Sequence, residues 1–318
     1  MKTNKLKVVF LGTPQIACNA LSVLKEKEDI DIVCVVTQPD KPAGRGHKLT
    51  PPPIKVLAQE SNLEVFQPIS IRKDADLIEK LKSFEPDFFI TIAFGQILSQ
   101  EVLDIPKYGT VNLHASLLPK YRGANPIARA ISNGEKETGV STMLTSLGVD
   151  EGDVILTEKI KISQDMTTLD LTIKVSEIAP DILYKTLWGL YNKELKPIAQ
   201  NHKEATFAPK YSKEETFLNF NKSAQELHDL VRALYPKPSA NTYYNGSLIK
   251  ILQTEVINET SNRPTGEIIK KDKAGIYVSS SNGILLIKTL KPEGKKEMPA
   301  TAWACGIKDL DKFGTQQV

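Results

Sequence analysis

Short apolar runs alternate with longer amphipathic stretches over the first two hundred residues. That alternation predicts βαβ units around a mostly parallel sheet. Residues 7–11, 30–37, 87–93, 110–114 and 139–146 are apolar enough to be strands buried on both faces. Residues 16–25, 54–61 and 74–84 place apolar side chains at helical spacing, with Pro or Gly in the connections. The expected fold class is α/β, a doubly wound, mostly parallel sheet.

A long helical pattern over 167–191 leads into a polar stretch, 192–204, and then the pattern changes. Residues 223–234 read as a helix opened by Ser223 with Glu226 three positions on, the spacing of a capping box. Beyond it, short strand-type runs at 248–252, 265–269, 275–278 and 283–290 are separated by turn sequences, including Lys271-Asp272-Lys273. A smaller antiparallel barrel is expected there. The reading divides the chain into 1–206 and 207–318.

Composition narrows the class. The 318 residues carry 41 Lys+Arg against 38 Asp+Glu, a net charge of +3, well short of the strongly basic balance of a dedicated nucleic-acid binder. What basic excess exists lies late: residues 207–318 hold 16 basic and 12 acidic side chains. No run approaches the roughly 18 apolar residues of a membrane span. Cys18, Cys34 and Cys305 are widely spaced, with neither a disulfide framework nor a cysteine-built metal site. A cytoplasmic protein without membrane attachment, metal or obligate protein partner is expected.

In an open α/β sheet, ligands bind outside the carboxyl ends of the strands, which singles out the end of 110–114. Asn112 and His114 occupy alternate positions of that run and so share one face. An imidazole there can move a proton, and a carboxamide can donate to a carbonyl oxygen that is gaining charge. A second polar cluster, Gly148 to Asp153, follows another strand, and a carboxylate from it can orient the imidazole. Taken alone, each feature also reads blandly, the histidine as a strand end bonded to its turn and the acidic cluster as a solvated hairpin. Gly12-Thr13-Pro14, after the first strand, lacks the G-x-G-x-x-G loop of a dinucleotide-dependent oxidoreductase.

The run His114-Ala115-Ser116-Leu117-Leu118-Pro119, with Tyr121-Arg122-Gly123 and Pro126 after it and Asn112 before it, resembles the signature of the folate-dependent formyltransferases. Phe10-Leu11-Gly12-Thr13-Pro14, the segment from Thr37-Gln38-Pro39-Asp40 to Lys55, and residues 139–153 agree with the members acting on methionyl-tRNA. The resemblance implies transfer of formyl from 10-formyltetrahydrofolate to the α-amino group of methionine on initiator tRNA, with no metal. It implies Asn112, His114 and Asp150 as the catalytic trio. It also implies folate contacts from Ser116, Leu117, Leu118 and Pro119, from backbone around Phe94, Gly95, Ile97 and Leu98, and from Val149. Leu117 and Leu118 also fit plain core packing.

Residues 41–53 are too rich in Gly and Pro to be regular and are expected to form a surface loop. Lys41, Arg45, His47 and Lys48 place basic groups close together on it, which suits tRNA phosphates and equally a solvated loop. In the resembling enzymes this insertion enters the acceptor stem, and Arg45 matches its key arginine. For the second domain the resemblance implies an OB-like barrel making nonspecific tRNA contacts. Pro236-Lys237-Pro238 departs from the usual Pro-Trp-Pro. Enzymes that formylate glycinamide ribonucleotide or sugar nucleotides share the same core and differ in the acceptor.

Overall fold

The computed structural model describes residues 5–43, 46, 48–307 and 311–314. They form two compact units: Met1–Gly123, Glu137–Lys161 and Thr172–Phe207 make the first, and Ala124–Lys136, Ile162–Leu171 and Ala208–Val318 the second. No helix among the described residues is long and apolar enough to cross a membrane.

The sheet of the first unit is built from β1 (Leu6–Gly12), β2 (Ile30–Val36), β5 (Val65–Phe66), β6 (Phe88–Ile92), β7 (Thr110–His114), β8 (Glu137–Leu144) and β9 (Val154–Lys161). Their order is β5-β2-β1-β6-β7-β8-β9. All neighbours from β5 to β7 pair in parallel, while β7 with β8 and β8 with β9 pair antiparallel. Central strands need apolar side chains on both faces, and every residue of β6 is buried, as are six of the seven in β1. α1 (Cys18–Leu24), α2 (Pro53–Glu60), α3 (Ala75–Ser83) and the short α4 (Gln100–Leu103) fill the crossovers. Asp74 starts α3 by accepting the Leu77 N–H at 3.1 Å.

Two local expectations change. Residues 41–53, read as irregular, contain a two-stranded antiparallel ribbon, β3 (Lys41–Ala43) with β4 (Lys48–Thr50), before α2 begins. Pro42 is tolerated because this small ribbon has free edges that need no N–H from it. Gly46 at the tip takes a left-handed φ of +97°, which only glycine adopts freely. Arg45 and His47 lie outside the described residues. The strand expected over 265–269 instead runs Ile268–Asp272 (β12), because Gly266, at φ +86°, turns the chain before it. The turn read at 271–273 shifts with it, and Asp272 Oδ1 accepts the Ala274 N–H at 2.8 Å.

In the second unit, α7 (Ala224–Leu234) has the expected capping box: Ser223 Oγ accepts from Glu226 N, and Glu226 Oε2 accepts from Ser223 N at 3.0 Å. These bonds hold the Glu226 carboxyl below the usual carboxylate range. Also in the second unit are α5 (Pro126–Ser132) and an antiparallel sheet in the order β10-β11-β14-β13-β12. Its strands besides β12 are β10 (Ala240–Tyr244), β11 (Ser247–Ile257), β13 (Gly275–Ser279) and β14 (Ile284–Pro292), with β15 (Met298–Pro299) on β14 and α8 (Ala300–Cys305) following. The two edges are joined by a late segment: Lys312 bridges Glu267 beside β12, and Phe313 bridges Tyr244 of β10. Those bridges tie the two ends of the sheet to one segment, which covers part of each edge. Phe313 is buried and ringed by Phe220, Tyr244 and Trp303 at 6.2, 5.4 and 5.8 Å between centroids. Lys237, at the usual tryptophan position, is exposed. The helix α6 (Thr168–Tyr191) runs the full length of the expected pattern.

Cys18 and Cys34 are buried, and burial raises both thiols, Cys34 to about 12 with the Glu64 carboxylate adding to the rise. A thiol so shifted holds almost no reactive thiolate at neutral pH. A chromogenic aromatic disulfide at pH 7 is therefore expected to titrate only the exposed Cys305 in the folded chain, and all three cysteines after denaturation.

Candidate active site

β7 sits inside the sheet, between β6 and β8, and carries Asn112 and His114 on one face. Thr91 of β6 lies directly opposite Asn112 in the parallel register, and its hydroxyl donates to Asn112 Oδ1 at 2.8 Å. The oxygen is taken, and the Nδ2 donors have no partner among the described residues.

His114 is buried, and both its ring nitrogens face acceptors. Nε2 lies 2.9 Å from the carbonyl oxygen of Tyr121. A carbonyl only accepts, so Nε2 carries a proton. Nδ1 lies 3.5 Å from Asp150 Oδ2, an ion-pair distance when the ring is protonated. Asp150 Oδ2 also accepts the Gly123 N–H at 2.8 Å.

The route by which Asp150 arrives is indirect. β8 runs antiparallel to β7, so its last residue, Leu144, lies beside Val111 and not beside His114. The chain after it must fold back over the sheet to bring Asp150 to the imidazole. Gly152 permits the return, since a Cβ there would overlap the carbonyl of Leu144. Asp150 and Tyr121 take left-handed φ values of +53° and +60°. Non-glycine residues hold that conformation only where surrounding bonds over-determine it.

Such bonds exist. Gln200 Nε2 donates to the carbonyls of Asp150 and Gly152 at 3.0 and 2.6 Å. Gln200 Oε1 accepts from Arg122 Nε and Nη2 at 3.0 and 2.7 Å. Sequence reasoning passed over Thr91 and Gln200, and quoted Arg122 only as part of a motif. Gln200 lies in the stretch read as polar, 192–204, yet is buried. No local signal marked it, since Gln200 is followed by a second amide, Asn201, in a polar stretch.

The other expected residues separate into groups. Ser116 is buried, its hydroxyl donating to the Lys120 carbonyl at 2.6 Å, while Ser141 Oγ donates to the Ser116 carbonyl and accepts from Leu118 N. Leu118 is buried, and Leu117 and Pro119 are half-buried in the same turn. Phe94 and Leu98 place their side chains in the core around Val9, Leu11 and Phe89. The Phe94 carbonyl accepts from Thr13 Oγ1 and Gln38 Nε2 at 2.9 and 3.3 Å. Gly95 is exposed, and Ile97 and Val149 are apolar side chains left 64 % and 66 % exposed. Lys41 and Lys48 are exposed on the β3–β4 ribbon. Among the described residues, no three His, Cys, Asp or Glu side chains gather as metal ligands would.

A mostly parallel sheet carries Asn112 and His114 on an internal strand, with Asp150 brought to them by a loop, and the chain belongs to the formyl transferase family. The model described as "Formyl transferase" matches residues 6–187, and "Formyl transferase, C-terminal domain" matches 210–308. Among curated proteins, the chain is 42 % identical over 301 residues to a methionyl-tRNA formyltransferase of Clostridium novyi, covering 95 % of this chain and 97 % of that one. A protein of the same name from Clostridium perfringens is 44 % identical over 92 % of this chain and 94 % of its own. The fold is shared with the N-formyltransferase of Helicobacter canadensis solved with folinic acid and dTDP-3-aminofucose. That likeness has a TM-score of 0.66 at 19 % identity, over 89 % of this chain and 99 % of the other.

Replacing Thr91 with Val keeps the shape and removes the donor that fixes Asn112. The formyl-transfer rate is expected to fall about 10-fold while stability changes by about 1 kcal/mol, as for one neutral hydrogen bond. Steady-state kinetics beside thermal denaturation checks both.

Proposed function

We propose that the chain transfers the formyl group of 10-formyltetrahydrofolate to the α-amino group of methionine on initiator tRNA, for the start of translation in the cytoplasm. The observation that carries this reading is the 42 % identity spread over 95 % of the chain to a methionyl-tRNA formyltransferase. Residues 1–206 carry the transfer in this reading, and 207–318 add contacts to the tRNA.

Asn112, His114 and Asp150 are the catalytic residues. Folate supplies the activated formyl group when bound. The Nδ2 donors of Asn112 stabilise charge gathering on the formyl oxygen as the amine adds, and the His114 ring adds a second donor by exchanging its bond to the Tyr121 carbonyl for one to that oxygen. His114 is also the group able to pass a proton toward the departing nitrogen, and Asp150 keeps the ring turned for both tasks. No covalent intermediate with the protein is needed.

The residues suit a flat heterocycle with a polar edge. Ile97 and Val149 are exposed apolar side chains that no core claims, and Gly95 bares its backbone. Ser116, Leu117, Leu118 and Pro119 supply a turn already closed by its own hydrogen bonds. In the same reading Phe94 and Leu98 contribute backbone only. Lys41 and Lys48 on the exposed ribbon, with Arg45 and His47 between them, meet the tRNA through its phosphates.

The test is transfer of labelled formyl from 10-formyltetrahydrofolate to methionyl initiator tRNA. Asn112→Ala and His114→Ala are each expected to lose about 10²- to 10³-fold in rate. Lys41→Ala and Lys48→Ala should leave kcat in place and raise KM for tRNA, each lowering the salt dependence by about one phosphate contact. A wild-type chain that ignores the tRNA but formylates a small amine would overturn the acceptor. Full activity in His114→Ala would overturn the catalytic assignment.

A further inference from the structure

Arg122 is a buried cation with unusual company. Only 3 % of it is exposed, and no carboxylate among the described residues pairs with it. Its guanidinium forks onto one amide oxygen, Gln200 Oε1, through Nε at 3.0 Å and Nη2 at 2.7 Å, while Nη1 lies 3.3 Å from His202 Nδ1. The fork decides which way Gln200 points. Its oxygen must face the arginine, so its two N–H donors face the other way, onto the carbonyls of Asp150 and Gly152.

No other side chain of that length serves both sides. Glutamate satisfies the guanidinium but sets an oxygen against two carbonyl oxygens. Lysine satisfies the carbonyls but sets a charge against Arg122. Meanwhile the two neighbours of Arg122 hold the reacting pair directly: the Tyr121 carbonyl takes His114 Nε2, and the Gly123 N–H takes Asp150 Oδ2. Three consecutive residues therefore fix the imidazole, the carboxylate and, through Gln200, the backbone that carries the carboxylate. That backbone needs fixing, because Asp150 sits at φ +53° on a segment folded back over its own sheet.

We propose that Arg122 and Gln200 are positioning residues that act on the reaction through Asp150, holding its left-handed backbone so that the carboxylate meets His114. The proposal rests on the reading above that Asp150 serves formyl transfer. A displacement of about 1 Å at a reacting group is enough to lose about 10²-fold in rate.

The experiment uses the full chain and single-turnover formyl transfer to methionyl initiator tRNA, with Gln200→Leu, Gln200→Glu and Arg122→Lys made alone and combined with Asp150→Ala. Binding of 5-formyltetrahydrofolate and circular dichroism report folding of each. Gln200→Leu is expected to lower kcat about 10²-fold with both KM values within about twofold of wild type. Gln200→Glu keeps the partner of Arg122, so it is expected to fold and to bind 5-formyltetrahydrofolate, yet to lose the same rate, a split that a purely structural role does not produce. In the Asp150→Ala background the Gln200 changes should cost less than about twofold, since residues acting through one group are not additive.

Wild-type kcat in folded Gln200→Leu and Gln200→Glu would overturn the proposal. So would an undiminished loss on top of Asp150→Ala. If Asp150→Ala alone leaves transfer intact, the catalytic reading of Asp150 fails first and this proposal falls with it, an outcome visible in the single variant. Should Gln200→Leu not fold, Gln200→Glu and Arg122→Lys decide by the same comparisons.

Discussion

Everything at the candidate site is arranged around one buried imidazole held between two acceptors, the Tyr121 carbonyl and the Asp150 carboxylate. Nε2 of His114 is committed to the Tyr121 carbonyl, so the other nitrogen is left to the Asp150 carboxylate. Meeting both partners from a strand inside the sheet is a demanding geometric requirement. A turn after β7 must bring Tyr121 back beneath the ring, and a loop after an antiparallel neighbour must return across the sheet with Asp150. The left-handed backbone at Tyr121, Gly123 and Asp150, with φ of +60°, +114° and +53°, is the local consequence. At the two non-glycine positions it costs of order 1–3 kcal/mol each, which the surrounding bonds must offset.

The rigid and the adaptable parts divide the labour. Thr91 and Asn112 stand opposite each other on β6 and β7, strands buried nearly throughout, so their relation is set by sheet register alone. Asp150 has no such support and is held by hydrogen bonds from Gly123 and Gln200. Burying Arg122 without a carboxylate opposes folding, because a charged group leaves water for neutral partners. A neutral partner is nonetheless what the loop requires, since Gln200 must also donate to two carbonyls. The second unit meets a different constraint in its own way. Its antiparallel sheet would expose two edges, and the late segment around Phe313 bridges both.

The sequence was most legible where structure is dictated by periodicity. β7 is found at the residues its apolar run indicates, α6 runs the length of its helical pattern, and Ser223 with Glu226 forms the box that its spacing announces. β9 escaped because four of its eight residues are polar or charged and its outer half is largely exposed, as an edge strand permits. α5 is only seven residues long, too short for helical spacing to stand out. The β3–β4 ribbon carries Pro42 and ends in glycines, which argues locally for irregular chain, and nothing local signals that free edges tolerate them. At the site, Asn112 and His114 were readable because they share one strand face. Gln200 was not, since its partners lie 78 and 50 positions away and an amide in a polar stretch carries no signal of burial.

A single chemical device recurs at the two levels of this site. Asn112 and Gln200 are both amides whose oxygen end is claimed by a donor, the Thr91 hydroxyl in one case and the Arg122 guanidinium in the other. Claiming the oxygen leaves the nitrogen end pointing in a fixed direction, outward from Asn112 and inward from Gln200 to the Asp150 loop. A carboxylate of equal size in either place would accept the same donor and then offer a second acceptor where a donor is needed. Carboxamides therefore fit both positions for an electrostatic reason: each must convert a hydrogen bond received on one side into hydrogen bonds given on the other.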